Sequence, residues 1–272
     1  MNSVTALSTN PFLHSIEDRL REQLKETKQT SLGSEYVAFH ASRDEVVALA
    51  ASDLVSLFRR VVLDPVRGLV MLMSPSAPHD SISGYLDDFV ASVSSLKRIE
   101  TEKLRSTRWR QESDPKNTGN EADCSFYFGR KALDYIDALA QGKEVADVYS
   151  FRVPPDLVVE VGITSMSKEK YLSYRDKGAV EFWQLNVRPD KYGRSRVSAT
   201  FLHLQAKSKP LEIDVSHNLP DITPVHVSRF VRLRTGKSLD YLEVYEAVRS
   251  LLEDEASGMV IREEAEEYEP AS

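Results

Sequence analysis

Residues 154–183 read PPDLVVEVGITSMSKEKYLSYRDKGAVEFW, and this stretch predicts a strand, a helix and a second strand. Residues 157–163 are mostly aliphatic, which is typical of a strand that is buried on both faces of a sheet. Residues 169–177 have helical composition, Gly178 can end that helix, and residues 180–187 are rich in β-branched and aromatic side chains. Two strands that are connected through a helix in this way are expected to run parallel.

A single carboxylate, that of Glu160, interrupts the first of these strands. An unpaired carboxylate inside an apolar strand is costly, so Glu160 needs a metal ion, a lysine or strong hydrogen-bond donors beside it. Lys170 and Tyr174 lie one turn apart on the predicted helix and can share one of its faces. A buried acid with a cation occurs at catalytic sites and also as a structural ion pair, and the strand alone leaves both open.

A second acidic segment lies at residues 121–128, which read EADCSFYF. Glu121 and Asp123 alternate along a predicted strand and are therefore expected to share a face. This face could hold a cation, although acids at the start of a strand are more often exposed. A metal site becomes the stronger interpretation only when this segment is combined with Glu160 and Lys170.

Four segments of the chain resemble the Uma-type family, whose members are assigned as restriction endonucleases within the PD-(D/E)xK nuclease superfamily. They are GLVMLMSPSAPHDSISGYL from Gly68, EADCSFYFG from Glu121, PPDLVVEV from Pro154 and KYLSYRDKGAVEFWQL from Lys170. The resemblance implies an α/β (α+β) fold with a restriction-endonuclease-like core, in which a mixed central sheet is flanked by helices.

We expect three parts in the chain: an N-terminal helical extension at residues 1–58, the nuclease core at residues 59–205, and a C-terminal helical extension with an acidic tail at residues 206–272. The length is sufficient for one domain with such extensions. Periodicity and composition predict further helices at residues 11–28, 43–59, 81–96 and 240–252, and strands at residues 99–110, 121–128 and 196–204.

The resemblance also implies roles for individual residues. Asp123 and Glu160 fall on the family's two acids, which bind a divalent ion, Mg²⁺ or Mn²⁺. Lys170 falls on the helical lysine and His79 on the family's histidine, so all four are candidate catalytic residues. Without the resemblance, a lone histidine at the start of a helix is more often a capping or packing residue.

Two departures from the family pattern weigh against activity. Gly162 stands two positions after Glu160, where a strict ExK pattern has a lysine, so Lys170 must take that role. The stretch before the first hairpin reads SLFRRVVLDPVRG and lacks the family's Tyr-Glu opening.

Functions from different classes therefore stay open. The first is a Mg²⁺-dependent endonuclease that hydrolyses the phosphodiester bonds of DNA. The second is a nuclease-fold protein that no longer cuts and serves as a binding or assembly module. A nuclease that acts on RNA, or on branched or single-stranded DNA, keeps the chemistry of the first and changes the substrate. A homodimer would suit cleavage of both strands of a duplex.

The net charge of −7 argues mildly against a dedicated, tight nucleic-acid binder. Acidic residues are concentrated in the tail, however, and basic residues cluster at residues 97–110. Arg108 and Arg110 alternate on a predicted strand and, together with Lys168 at the start of the predicted helix, could contact a phosphate backbone. A charged strand edge that prevents aggregation explains Arg108 and Arg110 equally well.

Other protein classes have little support in the sequence. No run is long and apolar enough to span a membrane, and the N-terminus lacks the pattern of a signal peptide, so we expect a cytoplasmic protein. Cys124 is the single cysteine, which excludes an intramolecular disulfide and a multi-cysteine zinc site. Phosphate-binding glycine motifs and a GxSxG motif are absent.

Overall fold

The computed structural model describes residues 11–26, 28–29, 35–52, 54–55, 58, 60–74, 76–104, 108–109, 120–162, 167–189, 195–204, 209–235 and 237–256. Eight helices lie within these residues: α1 Pro11–Lys25, α2 Arg43–Ala50, α3 Ala77–Lys97, α4 Arg130–Gln141, α5 Lys143–Arg152, α6 Ser167–Asp176, α7 Pro224–Arg234 and α8 Tyr241–Ala256. None of the helices in this part of the chain is long and apolar enough to cross a membrane.

Twelve strands lie within the same residues: β1 Lys28–Gln29, β2 Glu35–His40, β3 Arg60–Asp64, β4 Leu69–Ser74, β5 Thr101–Lys103, β6 Arg108–Trp109, β7 Asn120–Glu121, β8 Cys124–Phe128, β9 Leu157–Val161, β10 Glu181–Pro189, β11 Ser195–His203 and β12 Leu211–Ile213. They form two six-stranded sheets, in the orders β1-β2-β4-β3-β7-β6 and β12-β11-β10-β9-β8-β5. The second sheet is mixed, because β9 is parallel to β10 and antiparallel to β8. The predicted α/β (α+β) class is confirmed.

The strand, helix and strand predicted from residues 154–183 correspond to β9, α6 and β10. The two strands are parallel, with Val159 beside Trp183, as the sequence predicts. Both side chains are fully buried and belong to one core cluster with Phe89 of α3. This arrangement places β9, and Glu160 with it, in the middle of the mixed sheet.

The N-terminal helices pack on the first sheet. Ile16 of α1 and Leu49 of α2 lie in one core cluster with Val61 of β3. The helix predicted at residues 43–59 ends at Ala50, and the N-terminal part also contains β2, which pairs with β4. This part is therefore not purely helical, because β2 extends the sheet that the β3–β4 hairpin begins.

A capping box starts α2. The Ser42 hydroxyl accepts a hydrogen bond from the Glu45 N–H, and the Glu45 carboxylate accepts one from the Ser42 N–H at 2.8 Å. Ser15 and Arg19 of α1 donate to the same carboxylate. The hydrogen bond from the Ser42 N–H is the largest cause that lowers the pKa of Glu45, to about 2.

We expect Glu45→Gln to lower the free energy of unfolding at neutral pH by about 1–2 kcal/mol. Because the pKa of Glu45 is lower in the folded than in the unfolded chain, its contribution is present above the unfolded pKa of 4.5 and is lost as the pH falls toward 2. Urea unfolding at several pH values should show the difference between the two proteins shrink on acidification. Glu246→Gln, at an exposed carboxylate of α8, is the control and should change little. A difference that stays constant down to about pH 3 would contradict the linkage.

The strands predicted at residues 99–110 and 121–128 are each divided between the two sheets. β5 pairs with β8 in the second sheet, whereas β6 pairs with β7 in the first. Asp123 lies at the bend between β7 and β8, so the predicted alternation of Glu121 and Asp123 along one strand is wrong. The chain has to change direction where it passes from one sheet to the other, and side-chain alternation in the sequence gives no signal of such a bend.

Candidate active site

Four predicted catalytic residues come together in one buried cluster. Asp123 immediately precedes β8 and Glu160 lies in β9, so the antiparallel pairing of these strands brings the two acids opposite each other. His79 is in α3 and Lys170 is in α6. The side chains of His79, Asp123, Glu160 and Lys170 are 0%, 2%, 1% and 5% exposed.

The two oxygens of the Glu160 carboxylate have different partners, both on α6. The Lys170 Nζ lies 2.5 Å from Oε2, and the Tyr174 hydroxyl donates to Oε1 at 2.8 Å. Burial raises the pKa of Glu160 to about 7, the Lys170 ammonium opposes this change, and the Asp123 carboxylate adds to it. Glu160 is thus held by a cation and a hydroxyl and is disfavoured as an anion by its surroundings.

Asp123 contacts both strand β9 and His79. Its Oδ2 accepts a hydrogen bond from the Val161 N–H at 2.7 Å and lies 3.2 Å from the His79 Nε2. Burial tends to lower the pKa of His79, but the carboxylates of Asp123 and Glu160 outweigh it, so the net direction is upward. The two carboxylates thus stabilise a positive charge on the imidazole, and burial opposes it.

Helix α3 holds His79 inside its first turn. The Ser76 hydroxyl accepts a hydrogen bond from the His79 N–H, and Pro78 lies in the first turn, where its missing N–H is not needed. The helix starts at Ala77, before the start at residue 81 that the sequence predicts. The N-cap residue Ser76 precedes the first apolar residues that repeat at helical spacing, and the prediction relied on those apolar residues. His79 is consequently a buried residue of the helix and not a residue in front of it.

The inner face of α6 is polar, and the spacing of Lys170, Ser173 and Tyr174 in the sequence is sufficient to predict that they share it. The spacing predicts that Lys170 and Tyr174 share a face, which the structure confirms. Both contact Glu160, and of these contacts the one from Tyr174 is not predicted. Ser173 lies on the same side of the helix and is also buried. Polar residues three and four positions apart on a helix that joins two buried strands are the signal for such a face.

The residues predicted to contact nucleic acid lie only partly within the described chain. Arg108 lies in β6, where it pairs with Glu121 of β7, and Lys168 lies in the first turn of α6. The side chains of Arg108 and Lys168, and all of Arg110, lie outside the described residues. Contacts of these three residues with a phosphate backbone stay predictions.

The donor types at the cluster fit a hard divalent ion. Within the described parts of the chain, no set of three or more His, Cys, Asp and Glu side chains has the arrangement of a metal site. Mg²⁺ usually needs only one or two protein carboxylates, with water and phosphate oxygens as its other ligands. Asp123 and Glu160 supply two such carboxylates, although one oxygen of Glu160 already contacts Lys170 and the other contacts Tyr174. A bound ion therefore has to compete with these two contacts.

A cavity of about 590 Å³ lies apart from the cluster, between α3 and β5. It is lined by acidic and basic side chains and by the open backbone at Gly84, the lining including Asp87, Asp88, Glu100, Glu102 and Lys103. None of the four clustered residues lines this cavity.

The similarity of this chain to known proteins is structural, at low sequence identity. No family model matches the sequence, and the search of curated proteins gave no match. Among solved structures, the crystal structure of "a putative nuclease belonging to DUF820" from Anabaena variabilis ATCC 29413 is similar over 70% of this chain and 90% of that chain. The identity is 14% and the TM-score is 0.39, a level that supports no functional argument. A function must therefore be inferred from the clustered residues themselves.

Proposed function

We propose that the protein is a metal-dependent endonuclease that hydrolyses phosphodiester bonds of DNA, with Asp123, Glu160, Lys170 and His79 at its active site. The observation that carries the proposal is the convergence of two carboxylates with a lysine and a histidine in one buried cluster. Burying such groups adds little to stability, because the desolvation of the charges offsets their attraction. Costly clusters of this kind are concentrated at functional sites.

Asp123 and Glu160 are the residues that would hold Mg²⁺ or Mn²⁺. A bound ion of this kind polarises the scissile phosphate and lowers the pKa of an attacking water. The resemblance of four sequence segments to the Uma-type family supports this assignment, since both acids fall on that family's acid positions.

The remaining residues would orient the two carboxylates and neutralise negative charge on the phosphate. Lys170 fixes one oxygen of Glu160 and would supply a positive charge to offset the negative charge that develops on the phosphate. Tyr174 fixes the other oxygen, which limits the rotation of the carboxylate. His79 holds the Asp123 carboxylate and, when protonated, adds a second positive charge.

A non-catalytic binding or assembly module is the second candidate. It is favoured by the burial of all four side chains and by the engagement of both Glu160 oxygens. Gly162, in place of the lysine of a strict ExK pattern, points the same way. A module of this kind needs the cluster for its fold alone and has no use for a divalent ion.

Cleavage of a mixed panel of substrates tests the proposal. Plasmid, linear, single-stranded and branched DNA and RNA are incubated with Mg²⁺ or Mn²⁺, and we expect DNA to be cut. In parallel, the shift of the thermal melting temperature with divalent ion is compared between the wild type and Asp123→Asn. We expect the ion to stabilise the wild type and not the variant. No cleavage and no ion-dependent shift in the wild type would favour the binding module.

A further inference from the structure

A series of polar contacts joins the turn of the β3–β4 hairpin to helix α6. The Asp64 carboxylate is buried and accepts hydrogen bonds from the main-chain N–H groups of Val66 and Arg67, at 3.0 and 3.1 Å. Its other oxygen accepts a hydrogen bond from the Arg67 guanidinium at 2.7 Å. The same guanidinium donates to Asp176, the last residue of α6. Arg67 thus bridges the first sheet and the helix that carries Lys170.

The hairpin turn is fixed on its other side as well. Gly68 has a φ of +64°, and a Cβ at this position would lie 2.3 Å from the carbonyl oxygen of Ala41. The Ala41 N–H donates to the Gly68 carbonyl at 2.8 Å. The backbone on both sides of Arg67 is therefore hydrogen-bonded, on one side by Asp64 and on the other by the junction between β2 and α2, which fixes the point from which the Arg67 side chain extends.

The contact on α6 is close to the clustered residues along the chain. The Asp176 Oδ2 accepts a hydrogen bond from Arg67, and its Oδ1 accepts two from Arg175, from Nη2 at 2.9 Å and from Nε at 3.0 Å. Tyr174 and Lys170 lie within the preceding two turns of the same helix. A rotation or shift of so short a helix by roughly 1 Å would lengthen the contacts of Lys170 and Tyr174 with Glu160 by a similar amount.

We propose that Arg67 and Asp176 are positioning residues, whose ion pair holds α6 at the depth and rotation at which Lys170 and Tyr174 reach Glu160. For its catalytic consequence this inference rests on the proposed nuclease function. Its structural part depends only on the contacts between the hairpin and the helix. The β3–β4 hairpin thereby supports the site, although it belongs to the other sheet and contains none of the four clustered residues.

The test measures how strongly Lys170 and Glu160 interact when the ion pair between Arg67 and Asp176 is removed. Glu160→Gln, Lys170→Met and the double variant form a double-mutant cycle in urea unfolding, carried out in the wild-type and the Asp176→Asn backgrounds. Asp176→Asn is the mild variant, because it leaves the buried Asp64 paired with Arg67. We expect the coupling between Lys170 and Glu160 to fall to less than half in the variant background. Arg130→Ala, which breaks an exposed pair with Asp134 on α4, is the control background and should leave the coupling unchanged.

A second readout uses the enzyme activity. Asp176→Asn and Arg67→Ala are expected to lower kcat about tenfold to a hundredfold with little change in KM, and Arg67→Lys to restore part of the loss. A coupling that is the same in the Asp176→Asn and wild-type backgrounds would overturn the positioning role, even if both variants are less stable. If the wild type cleaves nothing, the nuclease proposal fails, while the coupling still decides whether Arg67 and Asp176 position α6.

Discussion

Glu160→Gln is expected to reduce the kcat/KM of metal-dependent cleavage by at least about a thousandfold, and Glu160→Ala by no less. Glutamine keeps the shape of the side chain and can still accept a hydrogen bond from Tyr174, so the variant should fold. It lacks the negative charge that would hold a divalent ion beside Asp123. Glu160→Gln also leaves the buried Lys170 without its anion, so some loss of stability is expected, and the loss of cleavage should exceed what this destabilisation explains.

Glu181→Gln is the matched control, because Glu181 is a second fully buried carboxylate, on the neighbouring strand β10. Its oxygens accept hydrogen bonds from Trp183 and from the main-chain N–H groups of His217 and Asn218, outside the cluster. Initial cleavage rates at saturating Mg²⁺ are compared with circular dichroism and melting curves of each variant. A folded Glu160→Gln protein with full activity would refute the site, and so would equal losses in both folded variants.

The sequence predicts the pair of Glu160 and Lys170 because each departs from its local pattern. Glu160 is the only charged residue in an aliphatic strand, and Lys170 lies on the helix that returns the chain to the same sheet. A carboxylate at such a place needs a partner, and the next helix is the nearest source. The structure confirms this pairing. The prediction succeeds because the strand and the helix are each recognisable from the pattern of their own residues.

Asp123 is predicted in the cluster although its local structure is predicted wrongly. The expected strand breaks at this residue, since β7 and β8 belong to different sheets. The link between Arg67 and Asp176 joins residues far apart in the chain and in different elements, so neither period nor spacing can indicate it. The helices α4 and α5 are not predicted either. The sequence of α4 does have apolar residues at helical spacing, Leu133, Ile136 and Leu139, so this helix could have been predicted. In α5 the pattern is weak, because apolar residues such as Val148 are exposed.

Above the Glu160 pKa of about 7, Lys170→Met is expected to lower the free energy of unfolding by about 3–5 kcal/mol, because it removes the ammonium that contacts the buried carboxylate. Below that pH Glu160 takes up a proton and the loss should be smaller. The double variant Lys170→Met with Glu160→Gln should recover most of this loss, since the side chain at position 160 then carries no charge. Lys97→Met is the control: Lys97 pairs with the exposed Asp221, and its loss should change the free energy of unfolding little.

Urea unfolding of these variants without divalent ions measures the effect on stability alone. Losses that simply add in the double variant would contradict a direct pair, because two interacting charges must show a coupling in the cycle. A nuclease and a non-catalytic module would both depend on this pair for folding. The Lys170 result therefore tests the geometry of the cluster, and only stabilisation by Mg²⁺ or Mn²⁺ that requires Asp123 and Glu160 separates the two functions.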